Sequence, residues 1–222
     1  MTLLAVTGLR REARIAARTG VTAISIGGDA ESLTAQLATV PLTQIRGIVS
    51  FGIAAALSPD LTPGDFVVAE RVIAGDQVFP TDGRWLAAVA GRFADGKIGS
   101  IAGTAKLLSD ADEKTRLHEA TGADAADMES HLAAEAAQAR NLPFLAIRAI
   151  SDAADRDLPP AACAALRPDG SLDAWAIARS IVSRPAQIPA LLRTGRETER
   201  AFAALLRCLD MLGRGFAFPD LG

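Results

Sequence analysis

The feature that most constrains the fold is the alternation of short apolar runs with segments of helical length over the first 155 residues. The apolar runs predict strands at Leu3–Val6, Ala23–Ile26, Arg46–Ile53, Phe66–Ile73, Lys97–Ala102 and Phe144–Ile150. The segments between them predict helices: one capped by Asp29, one over Arg84–Phe93, and one over Asp112–Thr121 that ends at Gly122. This alternation predicts an α/β fold with a largely parallel or mixed sheet flanked by helices.

The pattern changes after Asp155, where proline-rich and glycine-containing loops precede two helical segments, Leu172–Val182 and Pro189–Leu212. We therefore expect one domain over residues 1–222, with residues 155–222 as a mainly helical extension. One face of the last helix carries Phe202, Leu205, Leu206, Leu209 and Leu212. Such a stripe favours packing on the chain's own core over contact with a partner subunit or a membrane.

Composition excludes several classes of function. Half of the 222 residues are hydrophobic, and the net charge of −3 comes without a basic stripe, so nucleic acid is not an expected partner. Two histidines and two cysteines without ligand spacing exclude a His-rich metal site and a disulfide scaffold. With no signal-peptide pattern and no apolar run long enough to span a bilayer, the sequence predicts a cytoplasmic protein.

Two acids stand at positions where α/β folds bind ligands. Asp152 follows an apolar strand, and partial desolvation there raises a carboxyl pKa and favours proton donation; the alternative is an acid that caps the next turn. Glu129 lies in the run from Ala126 to His131, which is expected to open a helix. Its carboxylate could accept two hydrogen bonds from a ribose diol, or it could be an ordinary first-turn acid beside a core residue, Met128.

Two further stretches are compatible with ligand binding but do not require it. Gly8 with Arg10, Arg11 and Glu12 forms a turn-to-helix site rich in anion-binding groups, although these charges could simply be solvated. The run from Gly52 to Ala56 has little side-chain bulk. That run suits either a backbone close to a flat ligand or close helix packing, and both readings stay open.

Taken together, these motifs resemble the nucleoside phosphorylase and nucleosidase superfamily. The resemblance rests on four stretches: Gly52 to Leu57, Pro63-Gly64-Asp65, Asp127-Met128-Glu129 and Arg148-Ala149-Ile150-Ser151-Asp152. It implies a single-domain fold with a central mixed β-sheet, partly closed into a barrel and surrounded by helices. It also implies no metal and no cofactor, with phosphate as a candidate co-substrate.

A narrower resemblance is to the hopanoid-associated phosphorylases, which remove adenine from adenosylhopane in the side-chain synthesis of bacteriohopanepolyols. It rests on five stretches of sequence: Val6 to Ala13, Met128-Glu129-Ser130-His131, Ser151 to Pro160, Arg167-Pro168-Asp169-Gly170 and Pro189 to Glu197. The resemblance implies a nucleoside substrate with a lipid part, a homo-oligomer, and peripheral contact with the inner membrane. The stripe over Phe202–Leu212 and the later Phe216 and Phe218 are candidates for that contact, with core packing as the default interpretation.

The superfamily resemblance also implies roles for single residues. Asp152 would protonate N7 of the departing adenine, while Glu129 would hold the ribose hydroxyls. The remaining substrate contacts would come from Met128, Ser151, Gly52, Ala54 and Ala55.

The nucleophile has two implied forms. In the nucleosidases a glutamate at the place of Glu12 positions an attacking water, with Arg148 close by. In the phosphorylases a phosphate would instead be held near Gly8, Arg10 and Arg11. The hopanoid resemblance favours phosphorolysis, with hydrolysis as the alternative. Two other functions stay open: cleavage of a small purine nucleoside such as methylthioadenosine, and nucleoside binding without turnover.

Overall fold

Five hydrogen-bonded strands close into a barrel at the centre of the computed structural model, which describes residues 2–18, 20–93, 96–165, 167, 170–171, 173–213 and 215–219. The strands of the whole sheet are β1 (Thr2–Thr7), β2 (Val21–Ser25), β3 (Ile45–Ala56), β4 (Phe66–Ala74), β5 (Gln77–Pro80), β6 (Lys97–Gly103), β7 (Ala125–Asp127) and β8 (Phe144–Asp152). The barrel runs β3, β7, β6, β4, β8 and back to β3, with both parallel and antiparallel pairs. Strands β1 and β2 extend it beyond β3, and β5 extends it beyond β4. The expected mixed sheet with partial closure is confirmed.

Helices surround the sheet, and their ends follow local sequence signals. They are α1 (Arg10–Ala16), α2 (Ala30–Thr39), α3 (Gly83–Ala90), α4 (Ala111–Thr121), α5 (Ser130–Gln138), α6 (Pro160–Cys163), α7 (Ala174–Ser183) and α8 (Ile188–Leu212). The Asp29 carboxylate accepts hydrogen bonds from the first backbone N–H groups of α2, as its sequence position predicts. Gly122 ends α4 with a φ of 67°, a conformation that glycine adopts without strain.

Two strands, β5 and β7, were not expected. The segment around Ala126 was predicted to open a helix, but residues 125–127 form β7, and α5 starts only at Ser130. Ala126 pairs with Ala55 of β3 on one side and with Ala102 of β6 on the other, so β7 closes the barrel. Three residues are too few to show strand periodicity, and the pairing depends on contacts distant in sequence.

The apolar stripe of α8 faces the core. Its members Phe202, Leu205, Leu209 and Leu212 are buried, and only Leu206 is exposed. Phe216 is fully buried and Phe218 packs edge-on against the Trp85 ring, so both phenylalanines pack in the core and are not available for contact with a membrane. Among the described residues, no helix combines the length and apolar character that crossing a bilayer requires.

Candidate active site

Strands β1, β3, β7 and β8 end at the rim of one cleft. Most of the residues predicted to bind or react with a ligand line this cleft, although they come from distant parts of the chain: Gly8, Glu12, Ala54, Ala55, Met128, Glu129, Ser151 and Asp152. The rest of the lining is largely apolar, from Leu9, Ile53, Leu107, Leu108 and Ala126, with Thr104 and Asp127. The cleft therefore combines acidic side chains with a largely apolar lining.

Glu12 is buried in the first turn of α1, and backbone N–H groups hold its carboxylate. One oxygen accepts hydrogen bonds from the N–H groups of Gly8 and Leu9 at 2.9 and 2.7 Å. The other accepts from the N–H of Ile53 at 2.7 Å. Burial raises the pKa of Glu12, although Arg148 and these hydrogen bonds act in the opposite direction. A carboxylate with a raised pKa is a stronger base, as the activation of a water molecule requires.

Arg148 is the cation at the centre of an acidic cluster. Its side chain is fully buried, and its Nε donates to Asp127 while Nη2 donates to the Ser50 hydroxyl at 2.6 Å. Nη2 also lies 3.7 Å from a carboxylate oxygen of Glu129. Within the described part of the chain, Nη1 has no hydrogen-bond partner. This buried N–H group can donate a hydrogen bond to a ligand or to a water molecule next to Glu12.

Glu129 sits at the N-terminus of α5 with a strongly perturbed carboxyl group. Burial and the charge of Asp127 raise the pKa of Glu129 to about 8, although Arg148 lowers it. A Cβ atom at Gly8 would lie 2.5 Å from a Glu129 oxygen, so the absence of a side chain at Gly8 makes room for this carboxyl. Met128 packs in the same way against Gly28, where a Cβ would lie 2.7 Å from the methionine methyl.

Asp152 is the last residue of β8 and lines the cleft, with hydrogen-bond donors on both carboxylate oxygens. The Ser151 hydroxyl donates to Oδ1 at 2.8 Å, and the ammonium of Lys114 donates to Oδ2 at 2.6 Å. Lys114 belongs to α4 and is fully buried. Lys114 was not predicted, because α4 is largely polar and its lysine resembles an exposed helix charge.

Four predicted site residues are not among those that line the cleft: the buried Arg148 described above, and Arg10, Arg11 and Gly52. Arg11 is exposed, pairs with Glu199 of α8 and stacks on Phe202 at 3.9 Å, so the role of Arg11 in phosphate binding is corrected. Arg10 is also exposed and is not among the residues lining the cleft. Gly52 lies behind the cleft, where a Cβ would come within 2.6 Å of Glu12 and 2.8 Å of Arg148. Its small size therefore accommodates these side chains and not a flat ligand.

The charges of the site disfavour an anionic ligand near Glu12. Three acids, Glu12, Asp127 and Glu129, surround the single guanidinium of Arg148, and all four groups are buried. The N–H groups of Gly8 and Leu9, which could bind an anion, already bind the Glu12 carboxylate. A neutral diol and a neutral nucleophile fit this end better than a phosphate dianion.

Comparison with known proteins agrees with the geometry. The sequence profile of the phosphorylase superfamily matches residues 4–165. The fold is similar to that of futalosine hydrolase from Helicobacter pylori, with a TM-score of 0.68 at 15% identity over 96% of this chain and 97% of that chain. It is also similar to the S-adenosylhomocysteine nucleosidase of Streptococcus pyogenes in complex with 5-methylthiotubericidin, with a TM-score of 0.65 at 17% identity over 96% and 98% of the two chains.

A third similar structure is the 5′-methylthioadenosine/S-adenosylhomocysteine nucleosidase of Helicobacter pylori with butyl-thio-DADMe-Immucillin-A. Its TM-score is 0.62 at 16% identity, covering 95% of this chain and 98% of that chain. At these identities the likeness shows a common fold. A search of curated protein sequences finds no match.

Proposed function

This chain belongs to the phosphorylase superfamily, and from that premise we propose that it cleaves the N-glycosidic bond of an adenine nucleoside. The observation that carries the proposal is the cleft in which Glu12, Glu129 and Asp152 meet. In the proposed reaction Asp152 gives a proton to N7 of adenine, and the electron pair of the C1′–N9 bond moves onto the base. Glu129 holds the ribose hydroxyls close to the positive charge that develops on the sugar.

We propose water as the nucleophile. Glu12 takes one proton from the water as its oxygen bonds to C1′, and the unpartnered Nη1 of Arg148 helps to hold that water. The acidic surroundings of Arg148 support hydrolysis over phosphorolysis, because a phosphate dianion would have to enter among three buried carboxyl groups. Phosphorolysis remains the alternative that the hopanoid resemblance favours.

The proposed substrate carries an apolar group on the 5′ side of its ribose, and adenosylhopane is the specific candidate. Support comes from the apolar lining of the cleft by Leu9, Leu107 and Leu108, with Leu107 partly exposed at 36%. The similar nucleosidase from Helicobacter pylori is bound to a ligand with an apolar butyl-thio group. The same lining also suits methylthioadenosine, which is therefore the second candidate.

A large apolar substrate suggests peripheral contact with the cytoplasmic face of a membrane, and α7 provides a suitable surface. Trp175 and Val182 lie two turns apart on this helix and are 75% and 83% exposed. Residues 174–196 contain four arginines and no acid, in a chain whose net charge is −3. We propose that this surface, Trp175 and Val182 with Arg179 and Arg184, binds anionic lipid.

An identical second copy is a poorer occupant of this α7 surface. A two-fold contact centred on it would bring the same arginines of both copies together. The position of the surface also fits a lipid substrate, because Gly170 in the loop before α7 packs against Gly8 of the cleft: a Cβ at Gly170 would overlap the Gly8 carbonyl oxygen. The expected homo-oligomer would then form through another surface, and sedimentation analysis tests for it.

The deciding experiment measures adenine release from adenosylhopane and from methylthioadenosine, each with and without phosphate. We expect release without phosphate, incorporation of oxygen from labelled water into the sugar product, and a higher kcat/KM for adenosylhopane. An absolute phosphate requirement would replace hydrolysis by phosphorolysis, and a higher kcat/KM for methylthioadenosine would replace the lipid substrate. No adenine from either substrate would overturn the proposed function.

A further inference from the structure

A buried ammonium group contacts Asp152 from outside the cleft. Lys114 Nζ lies 2.6 Å from Asp152 Oδ2, and it also donates to the carbonyl oxygens of Ala153 and Arg156, both at 2.9 Å. These three bonds use all three donors of the ammonium, and the lysine side chain is fully buried. Lys114 thus joins α4 both to the acid and to the turn that follows it.

Stability alone does not account for such a pair. Burying a lysine and an aspartate removes two charges from water, and an apolar pair of similar volume is often as stable or more stable. A buried Lys–Asp contact next to a ligand cleft therefore suggests a contribution to the chemistry of the site.

The contact leaves the two oxygens of Asp152 in different surroundings. Oδ2 is bound by Lys114, which does not line the cleft, whereas Oδ1 is bound by the hydroxyl of Ser151, which does. The ammonium fixes the rotation of the carboxyl group, since a turn about the Cβ–Cγ bond would break the contact with Oδ2. Oδ1 is then the atom available to a base in the cleft.

We propose that Lys114 is a positioning residue for Asp152, an inference that rests on the proposed function. It directs Oδ1 toward N7 of the base and stabilises the carboxylate that remains after the proton has moved. In the reactive form Oδ1 carries the proton, and the Ser151 hydroxyl donates to its other acceptor, the carbonyl oxygen of Ala54 at 3.1 Å. In this step the Oδ1–H bond of Asp152 breaks, an N7–H bond forms, and the glycosidic electron pair goes to the base. Lys114 keeps its own protons, and its positive charge acts mainly when the carboxylate forms, which is in the transition state.

A double-mutant cycle tests the coupling, using Lys114→Met, Asp152→Asn and the variant with both changes. We expect Lys114→Met to lower kcat for adenine release at least about tenfold. This loss is a part of the roughly 10²- to 10⁴-fold that acid catalysis contributes. KM should change little, and the double variant should be no slower than Asp152→Asn. Because the double variant removes both charges together, it also serves as a reference for folding, which thermal unfolding of each variant measures.

A substrate that needs no protonation separates positioning from general damage. A nitrophenyl riboside has a leaving group that departs as a stable anion, so Lys114→Met and the wild type should cleave it at similar rates. A distorted fold would slow both substrates equally, which would overturn the proposal. Lys106→Met is the matched control. Lys106 also forms an ion pair with a residue that belongs to another element, Glu113 of α4 at 2.8 Å, but its side chain is exposed.

Binding of free adenine, measured by calorimetry, gives a result that does not depend on turnover. We expect Lys114→Met to weaken adenine binding, with no further loss when Asp152→Asn is added. The wild type could release adenine while Lys114→Met and Asp152→Asn weaken adenine binding independently, so that their effects multiply in the double variant. That result would overturn the role of Lys114 and leave the proposed function standing. A wild type that neither releases nor binds adenine would overturn the proposed function, and the role of Lys114 with it.

Discussion

A carboxylate oxygen of Glu129 lies 3.7 Å from Nη2 of Arg148, yet the pKa of Glu129 is raised to about 8. Burial and the neighbouring charge of Asp127 therefore outweigh the guanidinium. Asp127 has the closer contact with Arg148, through Nε, and it also accepts the N–H of Ser130 at 2.9 Å. One cation shared among several acids therefore does not offset the burial of the Glu129 carboxyl group.

The first prediction concerns stability against pH. Because the folded protein keeps a proton on Glu129 that the unfolded chain has lost, the stability due to that proton is present below the ordinary glutamate pKa and is lost as pH rises to about 8. The free energy of unfolding should fall with a slope of up to about 1.4 kcal/mol per pH unit from this group. The raised pKa of Glu12 acts in the same direction.

Urea unfolding at a series of pH values checks the slope. Glu129→Gln cannot ionise, so it should flatten the decline and be more stable than the wild type at pH 9. Glu135→Gln, on the exposed side of α5, is the matched control because it removes a carboxylate without touching the buried cluster. Equal slopes for the wild type and Glu129→Gln would contradict the prediction.

The second prediction concerns Glu12. Glu12→Gln removes the proposed base, so turnover should fall by about 10²- to 10⁴-fold while affinity for the nucleoside changes little. An amide has one acceptor oxygen, and its NH₂ group must face a backbone N–H that the carboxylate now binds. Unfolding should therefore become easier by about 1–3 kcal/mol.

Single-turnover adenine release and calorimetric binding measure the two effects of Glu12→Gln separately. Glu31→Gln at the exposed start of α2 is the control for losing a glutamate near a helix N-terminus. Unchanged turnover in Glu12→Gln would remove Glu12 from the proposed role.

Local signals in the sequence were sufficient for much of the fold. The capping carboxylate of Asp29 and the left-handed Gly122 depend on neighbouring residues alone, and both were predicted. Strand β7 was not, because its three residues become a strand only by pairing with Ala55 and Ala102. Local periodicity has no access to such long-range pairing.

The candidate site likewise contains residues that local sequence predicts and one that depends on long-range packing. Glu129 and Asp152 stand at the ends of elements, where sequence position already suggests a ligand. Lys114 lies 38 residues from Asp152 in sequence, and only the packing of α4 against the end of β8 brings them together. The faint signal was its spacing of three residues from the half-buried Leu117, which places the two on one face of α4.

The third prediction concerns Gly52. An added Cβ would lie 2.6 Å from a Glu12 oxygen and 2.8 Å from Arg148 Nη1, and both side chains are held by buried hydrogen bonds. Gly52→Ala should cost about 1–3 kcal/mol of stability, as overpacking in a core does, and should also impair turnover by displacing Glu12. Gly195→Ala is the matched control on the exposed side of α8, where nothing lies within 4 Å, and it should stabilise the helix by about 0.5–1 kcal/mol. Thermal unfolding measures both variants, and equal changes in Tm would contradict the prediction.

The fourth prediction concerns the α7 surface. Trp175→Glu with Val182→Glu replaces two exposed apolar side chains by acids among the arginines, so binding to anionic vesicles should fall at least about tenfold. Co-sedimentation with vesicles that contain phosphatidylglycerol measures this, and vesicles of phosphatidylcholine alone should bind the wild type weakly, because the attraction depends on charge. Val78→Glu is the control, since Val78 of β5 is 56% exposed but lies on an outer strand of the sheet.

The outcomes at this surface separate a lipid from a protein partner. Loss of vesicle binding only in the α7 variant, with unchanged sedimentation of the protein alone, would support a lipid surface. A wild type that ignores anionic vesicles, combined with an α7 variant that sediments as a smaller species, would assign Trp175 and Val182 to a contact between subunits. Adenine release from methylthioadenosine, which needs no membrane, should be the same in all of these proteins, because none of the changed residues lines the cleft.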